Sequence, residues 1–311
     1  MIVIDGNTDN IQSFDNYIAL GSFDGLHLGH LSLIYKVIEE ADKNGGKSMV
    51  YTFKNHPRTL ISKECAPKLL MDNDDKVKVL DAHGVDIVCF QEFNSEFMKI
   101  TPEEFVKMLI EKFNAKGIVV GFNYKFGYKN SGNIDLLRRL QKKYNYKLYV
   151  MEPCTYKDEV ISSTRIRKAI EEGNVEDAYK MLNRPYSLKG NVVHGRKIGR
   201  TIGFPTANLC YDKKFILPSE GVYYTNVKVN NKLCKGITSV GYNPTVNGKT
   251  LTIETNILNF EEDIYEKHIE VNFIKKIRSN IKFNGIDELK NQLEKDKSFA
   301  ATQNYMSSLR I

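Results

Sequence analysis

The chain has 311 residues and a mass of 35.6 kDa, which is enough for about two domains of ordinary size. Hydrophobic residues make up 41% of the sequence and charged residues 27%, and this mixture excludes a wholly disordered chain. The net charge of +7 is unevenly spread, because residues 1–183 carry −1 and residues 184–311 carry +8.

The sequence does not indicate a membrane or secreted protein. No stretch approaches the ~20 apolar residues that a membrane-spanning helix needs, and the first residues lack the basic and apolar layout of a secretory signal. The five cysteines lie far apart without a C-x-x-C pair, which argues against a disulfide framework. We therefore expect a cytoplasmic protein.

The first half predicts strands that alternate with helices. Hydrophobic runs predict strands at residues 17–21, 48–53, 86–90, 117–121 and 146–151. Helical spacing and capping residues predict helices at residues 30–44, 74–83, 101–114 and 134–144. This order is typical of a doubly wound α/β domain, in which helices cover both faces of a parallel sheet.

Two short helices are predicted between the halves, at residues 164–172 and 175–182. The pattern changes after residue 183. Short alternating runs then predict strands at residues 186–193, 221–229, 233–240, 249–257 and 267–274, separated by turn signals such as 229–232 and 247–248. This pattern is typical of an antiparallel barrel or sandwich, and we expect the β-barrel. Residues 287–296 and the end of the chain are predicted to be helical, so we expect domains at 1–183 and 184–311.

The strongest local signal is the glycine- and histidine-rich segment at residues 21–30, with the sequence GSFDGLHLGH. It follows a predicted strand and opens a predicted helix, where free N–H groups and the helix dipole favour phosphate. Its glycines allow close backbone approach, and His27 and His30 are able to bind phosphate oxygens. A tight turn with two surface histidines is the plainer alternative, and a metal pair is disfavoured because no third ligand is obvious.

This segment resembles the H-x-G-H signature of the nucleotidylyltransferase superfamily. The segments at 52–57, 121–127 and 161–167 look like the remaining motifs of the FMN adenylyltransferase module in the prokaryotic bifunctional riboflavin kinase/FAD synthetase family. In the second half, four segments look like the riboflavin kinase module of the same family: 199–208, 221–223, 243–245 and 253–255. The resemblance spans nearly the whole chain in the expected order.

For the first half, the resemblance implies that the FMN phosphate attacks the α-phosphorus of ATP and pyrophosphate leaves. It implies catalytic roles for His27, His30 and Arg167. It implies nucleotide-binding roles for a further set of residues: Gly21, Phe23, Asp24, Gly29, Asn123, Ser163 and Thr164. From the residues alone, Ser162, Ser163 and Thr164 are better explained as a simple helix cap.

For the second half, the resemblance implies Mg²⁺ held by Thr206 and Asn208, with Glu254 as the base for the riboflavin 5′-hydroxyl. It implies further ATP contacts along one loop: Gly199, Arg200, Gly203, Pro205 and Thr206. Without the resemblance, Glu254 is interpreted as an ordinary strand carboxylate that faces solvent. Four positions depart from the family pattern: Asn55, Asn256, Asn259 and Asn280. The last three leave flavin affinity in the kinase half less secure.

We therefore expect a bifunctional enzyme that converts riboflavin to FMN and FMN to FAD, each step using ATP and Mg²⁺. Its partners are expected to be these small molecules, with no nucleic acid and no membrane. The first alternative is a single-activity enzyme whose other half only binds flavin. A nucleic-acid-binding barrel is disfavoured, because the aromatic residues are not interleaved with a basic stripe.

Overall fold

The computed structural model describes residues 1–5, 13–57, 60, 66–195, 198–242 and 251–305. The predicted turn at 247–248 and the motif at 243–245 lie outside these residues. The chain divides into two compact units, the first ending at Ser163 and the second beginning at Thr164. The domain boundary at 183/184 stays a prediction.

The first unit is built on a six-stranded parallel sheet. Its strands are β1 (Ile2–Asp5), β2 (Asn16–Leu20), β3 (Lys47–Phe53), β4 (Ile87–Gln91), β5 (Ala115–Gly121) and β6 (Lys147–Met151). Their order across the sheet is β1-β4-β3-β2-β5-β6. Because the chain moves outward in both directions from β2, the connections change direction between β2 and β5. This is the topological switch point of a doubly wound sheet, where ligands bind beyond the carboxyl ends of the strands.

The helices of this unit begin and end at residues with clear local reasons. They are α1 (Leu28–Asn44), α2 (Asn73–Ala82), α3 (Pro102–Phe113) and α4 (Ile134–Tyr144). Thr101 and Glu104 form a reciprocal capping box at the start of α3, and Asn114 ends it in the left-handed conformation. Residues of β2, β3 and β5 pack against α3 and α4 in one apolar core. The predicted α/β class is confirmed for this half.

A small hairpin and two helices follow the sheet. The hairpin pairs β7 (Thr155–Tyr156) with β8 (Glu159–Val160), and the helices are α5 (Ser163–Glu171) and α6 (Val175–Leu182). Gly173, between the helices, has a φ of +81°. A Cβ there would also lie 2.4 Å from Ser219 Oγ. Both the positive φ and the limited space around this position therefore favour glycine between the two helices.

The second unit contains a closed antiparallel barrel. Its strands are β9 (Tyr186–Val193), β10 (Ala207–Tyr211), β11 (Gly221–Val229), β12 (Lys232–Tyr242), β13 (Leu251–Ile257) and β14 (His268–Arg278). Around the barrel they follow the order β10-β13-β12-β11-β14-β9, and β9 closes on β10. The predicted barrel is confirmed.

Two helices belong to the barrel unit besides α5 and α6. The short helix α7 (Ile198–Thr201) lies between β9 and β10, and α8 (Ile286–Thr302) packs against the barrel. The expectation that helix continues to the end of the chain is wrong for residues 303–305, because the backbone becomes extended at Gln303. Within the described ranges, no helix is long and apolar enough to cross a membrane.

Candidate functional site

The glycine- and histidine-rich segment forms a tight turn between β2 and α1. Phe23 and Leu26 both adopt positive φ values, 47° and 38°, and both side chains are fully buried. A positive φ is costly for residues with a Cβ, so the turn is held by its surroundings rather than by local preference. The turn ends at the N-terminus of α1, beyond the carboxyl end of β2.

The two histidines stand together at that helix N-terminus. Their ring centroids are 3.6 Å apart, and the ring planes are nearly parallel, with an interplanar angle of 17°. His27 is the N-cap of α1, and its Nδ1 accepts a hydrogen bond from the backbone N–H of His30 at 3.3 Å. Because Nδ1 accepts, the proton of the neutral His27 ring is on Nε2. The sequence suggested equal roles for the two rings, whereas the structure gives His27 a capping role as well.

Two further contacts hold the turn. The carboxylate of Asp24 is buried and accepts a hydrogen bond from the backbone N–H of Leu70 at 3.2 Å. The Ser163 hydroxyl donates to the backbone carbonyl of Asp24 at 2.9 Å, which brings the first residue of α5 beside the turn. Asp24 and Ser163 therefore both help to hold the turn.

Gly21 and Gly29 each lie close to an aromatic ring of this turn. A Cβ at Gly21 would lie 3.1 Å from the ring of Phe23, and a Cβ at Gly29 would lie 3.2 Å from the ring of His27. Asn123 is exposed and follows β5, the strand on the other side of the switch point. Parallel pairing of β2 with β5 places both carboxyl ends at one edge of the sheet.

The remaining predicted residues of this half are on α5. Thr164 is its second residue and is exposed, while Arg167 is its fifth and is half-buried. Both belong to the second compact unit. Their approach to the nucleotide stays a prediction.

In the barrel, the structure brings Thr206, Asn208 and Glu254 together. Asn208 on β10 is paired in register with Glu254 on β13, and the Thr206 hydroxyl lies 3.4 Å from a carboxylate oxygen of Glu254. A Cβ on Gly195 would come within 2.3 Å of the Asn208 amide, so glycine is needed where the chain passes this side chain. Three oxygen-bearing side chains thus converge at one end of β10.

The loop before β10 folds over itself. The N–H of Phe204 donates to the carbonyl of Gly199 at 2.8 Å, and Gly203 has a φ of +85°. A Cβ at Gly199 would lie 2.2 Å from the Phe204 carbonyl oxygen, so only glycine fits there. This loop includes the short helix α7.

A pocket of about 80 Å³ opens beside this loop. Three of the predicted ATP-binding residues, Arg200, Pro205 and Thr206, line it. Several residues of the segment after β13 also line it, and no sequence motif pointed to them: Phe260, Asp263, Ile264 and Tyr265. The pocket adjoins the converging oxygens through Thr206.

Two of the asparagines that depart from the family pattern make structural contacts. Asn55 donates to the carbonyl of Phe93 at 2.9 Å and accepts from its N–H at 2.8 Å. Asn256 donates to the carbonyl of Pro205 at 2.7 Å, next to Thr206. Asn256 therefore ties β13 to the segment that carries the predicted metal ligands.

Sequence reasoning missed Lys76 of α2, which reaches the turn before α1. Its side chain is only 5% exposed, and its Nζ donates to the carbonyl of Ser22 at 3.2 Å. Residues 76, 79 and 80 are all buried, so the lysine occupies the apolar stripe of the helix. A charged residue in that stripe was the signal available in the sequence.

The parallel-sheet half and the barrel half match two families of nucleotide-dependent transferases. Residues 10–165 match the FAD synthetase family, and residues 182–304 match the riboflavin kinase family. Three bifunctional riboflavin kinase/FMN adenylyltransferases are similar over almost their whole length. The protein of Bacillus subtilis is 37% identical over 94% of this chain and 93% of its own, and that of Listeria monocytogenes is 36% identical over 93% of each. The Escherichia coli protein is 33% identical over 90% of each chain.

This chain belongs to the bifunctional riboflavin kinase/FMN adenylyltransferase family. It phosphorylates riboflavin to FMN and transfers an adenylyl group from ATP to FMN. A solved structure described as a macrolide-efflux protein from Streptococcus pneumoniae is also similar, with a TM-score of 0.88 and 32% identity over 98% of this chain and all of that one.

Proposed function

We propose that adenylyl transfer takes place beyond the carboxyl ends of β2 and β5. The observation that carries this proposal is the stacked pair His27 and His30 at the N-terminus of α1, beside the switch point. Donors at a helix N-terminus stabilise phosphate charge, and the two imidazole rings lie at this same helix end. Gly21, Phe23, Asp24, Gly29 and Ser163 shape this pocket, and Asn123 contacts the nucleotide from β5.

The reaction at this site needs positioning and charge neutralisation more than covalent participation by the protein. An oxygen of the FMN phosphate attacks the α-phosphorus of ATP, and the bond from that phosphorus to the β-phosphate oxygen breaks. The negative charge that develops on pyrophosphate is met by His27 and His30. Thr164 and Arg167, in the first turns of α5, are proposed to hold the same leaving group.

We further propose that phosphoryl transfer takes place at the cluster of Thr206, Asn208 and Glu254. The carboxylate of Glu254 takes the proton of the riboflavin 5′-hydroxyl, the freed oxygen attacks the γ-phosphorus of ATP, and ADP leaves. Arg200, Pro205 and the folded loop at 199–203 are proposed to hold the rest of ATP in the adjoining pocket. The short separation of Thr206 from Glu254 supports this assignment.

The donor set of the kinase cluster fits Mg²⁺. Thr206 and Asn208 offer neutral oxygens, which suit a magnesium ion that keeps several waters and binds phosphate oxygens as well. When bound, the ion would offset the charge of the γ-phosphate. Across the described ranges, no group of three His, Cys, Asp or Glu side chains is arranged for a metal ion. The proposed ligands are therefore the threonine and the asparagine.

Small molecules are the proposed partners, and we propose no nucleic acid or membrane partner. A cytoplasmic location is also proposed, since riboflavin, FMN and ATP are its substrates.

The site assignments are tested by a chromatographic time course with ATP, Mg²⁺ and either riboflavin or FMN. His30→Ala is expected to lower FAD formation by about 100-fold or more while FMN formation continues. Glu254→Gln is expected to stop FMN formation but not the conversion of supplied FMN. His83→Ala and Glu270→Gln are the controls, because His83 contacts the carbonyl of Val79 and Glu270 pairs with Lys189, and none of these four residues belongs to either cluster. Equal loss of both activities in either variant would contradict the two-site assignment.

A further inference from the structure

The turn that carries the two histidines must be held against its own backbone preference. Phe23 and Leu26 have positive φ values although neither is glycine. Such conformations persist only where surrounding contacts determine them. The contacts that hold this turn are therefore part of what keeps the histidines in place.

One of these contacts involves a buried charge. The carbonyl of Ser22, directly before the strained turn, accepts a hydrogen bond from the Thr52 hydroxyl at 3.0 Å and another from Lys76 Nζ at 3.2 Å. Thr52 is fully buried and Lys76 is 5% exposed. The lysine nitrogen also lies 5.7 Å from the centre of the Phe90 ring, within cation–π range.

Keeping an ammonium group here is costly. Burial lowers the pKa of Lys76 to about 8, although the charges of Asp24 and Asp72 favour the protonated form. Since the folded-state pKa is below the ordinary lysine value, the buried charge opposes folding at neutral pH, and this opposition fades as the pH rises above about 8. A methionine would fill similar space without that cost, so the charge itself calls for an explanation.

We propose that Lys76 is a positioning residue for adenylyl transfer. Together with Thr52, it holds the Ser22 carbonyl and so fixes the turn that presents His27 and His30 at the N-terminus of α1. Its charge also balances the buried carboxylate of Asp24 beneath the same turn. This inference rests on the proposed location of the adenylyl-transfer site.

The test compares Lys76→Met with Lys78→Met in the full-length enzyme. Lys78 is on the same helix, but its side chain is 72% exposed and paired only with Asp75 at 3.7 Å. Lys76→Met is expected to lower kcat for FAD formation by about tenfold or more, with FMN formation unchanged and a melting temperature no lower than that of the wild type. Lys78→Met is expected to match the wild type in all three measurements.

Thr52→Val is the second variant, because it removes the other donor to the same carbonyl without removing a charge. It is expected to lower kcat for FAD formation in the same direction but to a smaller extent. Unchanged FAD kinetics in both Lys76→Met and Thr52→Val would overturn the proposal. A drop in melting temperature with loss of both activities in Lys76→Met, and no effect of Thr52→Val, would also overturn it.

The His30→Ala variant separates this inference from the proposed site. If His30→Ala keeps FAD formation, the site itself is misplaced, and the inference about Lys76 fails with it. If His30→Ala abolishes FAD formation while Lys76→Met and Thr52→Val do not change it, the site stands and only the positioning role is wrong.

Discussion

At the scale of single residues, the proposed adenylyl-transfer site leaves little space around its histidines. Gly29 is the second residue of α1, and a Cβ there would lie 3.2 Å from Cε1 and 3.3 Å from Nδ1 of His27. These separations are tighter than ordinary van der Waals contact, so the imidazole would have to move. The same nitrogen receives the N–H of His30, and a shift of the ring would disturb both histidines.

Gly29→Ala is therefore expected to separate stability from activity. Alanine favours helix by about 0.5–1 kcal/mol over glycine, so the free energy of unfolding should not fall. FAD formation should fall by about tenfold, because displacement of a catalytic group by a fraction of an ångström weakens transition-state contacts. Urea denaturation and the FAD time course measure the two effects. Gly285→Ala is the control, since a Cβ there meets no atom within 4 Å.

At the scale of elements, α8 is held to the barrel by a buried ion pair. Asp296 on α8 is 1% exposed and accepts two hydrogen bonds from the Arg278 guanidinium at the end of β14, from Nε at 3.1 Å and from Nη2 at 2.8 Å. Gln292 adds a third donor at 2.9 Å. All the polar atoms of the carboxylate are thus used inside the protein.

Asp296→Ala is expected to destabilise the barrel unit by about 3–5 kcal/mol, because it leaves the Arg278 charge largely buried without its partner. Guanidinium denaturation followed through kinase activity would measure this loss. Removing both charges together, as Arg278→Met with Asp296→Met, should restore part of it. Glu111→Ala breaks an exposed pair with Lys107 and should cost less than about 0.5 kcal/mol. A loss that small for Asp296→Ala would show that the ion pair does not anchor α8.

At the scale of the whole molecule, the two family matches fall mainly on different compact units. The proposed adenylyl-transfer histidines are on the first unit, and the proposed kinase cluster is on the second. FMN is the product of one reaction and the substrate of the other. If FMN leaves the kinase site into solution, the two reactions need not occur on one chain.

A mixture of His30→Ala and Glu254→Gln proteins is therefore expected to make FAD from riboflavin, although neither variant does so alone. FAD should appear after a lag that shortens as the concentration of the Glu254→Gln protein rises, since released FMN must reach a second molecule. Chromatography of riboflavin, FMN and FAD over time measures this. Accumulation of FMN without FAD in the mixture would contradict the separation of the two activities.

Much of the fold was predictable, because hydrophobic periodicity is a local property of the chain. The helices α1 to α6 and most strands were predicted within a few residues, and the barrel followed from alternating patterns and turn signals. Strand β1 was missed because it lies at the sheet edge with most of its side chains exposed. Strand β10 was missed because its pairing depends on β9 and β13, which are distant in sequence.

The sequence by itself determined the α/β half, the antiparallel half and the glycine- and histidine-rich segment at 21–30, and the family resemblance marked the residues of the kinase motifs. Only the tertiary structure decided which side chains meet. It brings Thr206 to Glu254 across 48 residues and Lys76 to Ser22 across 54. It also uses Nδ1 of His27 as a helix cap. These features depend on which strand or helix lies beside which, and a one-dimensional pattern carries that information only indirectly.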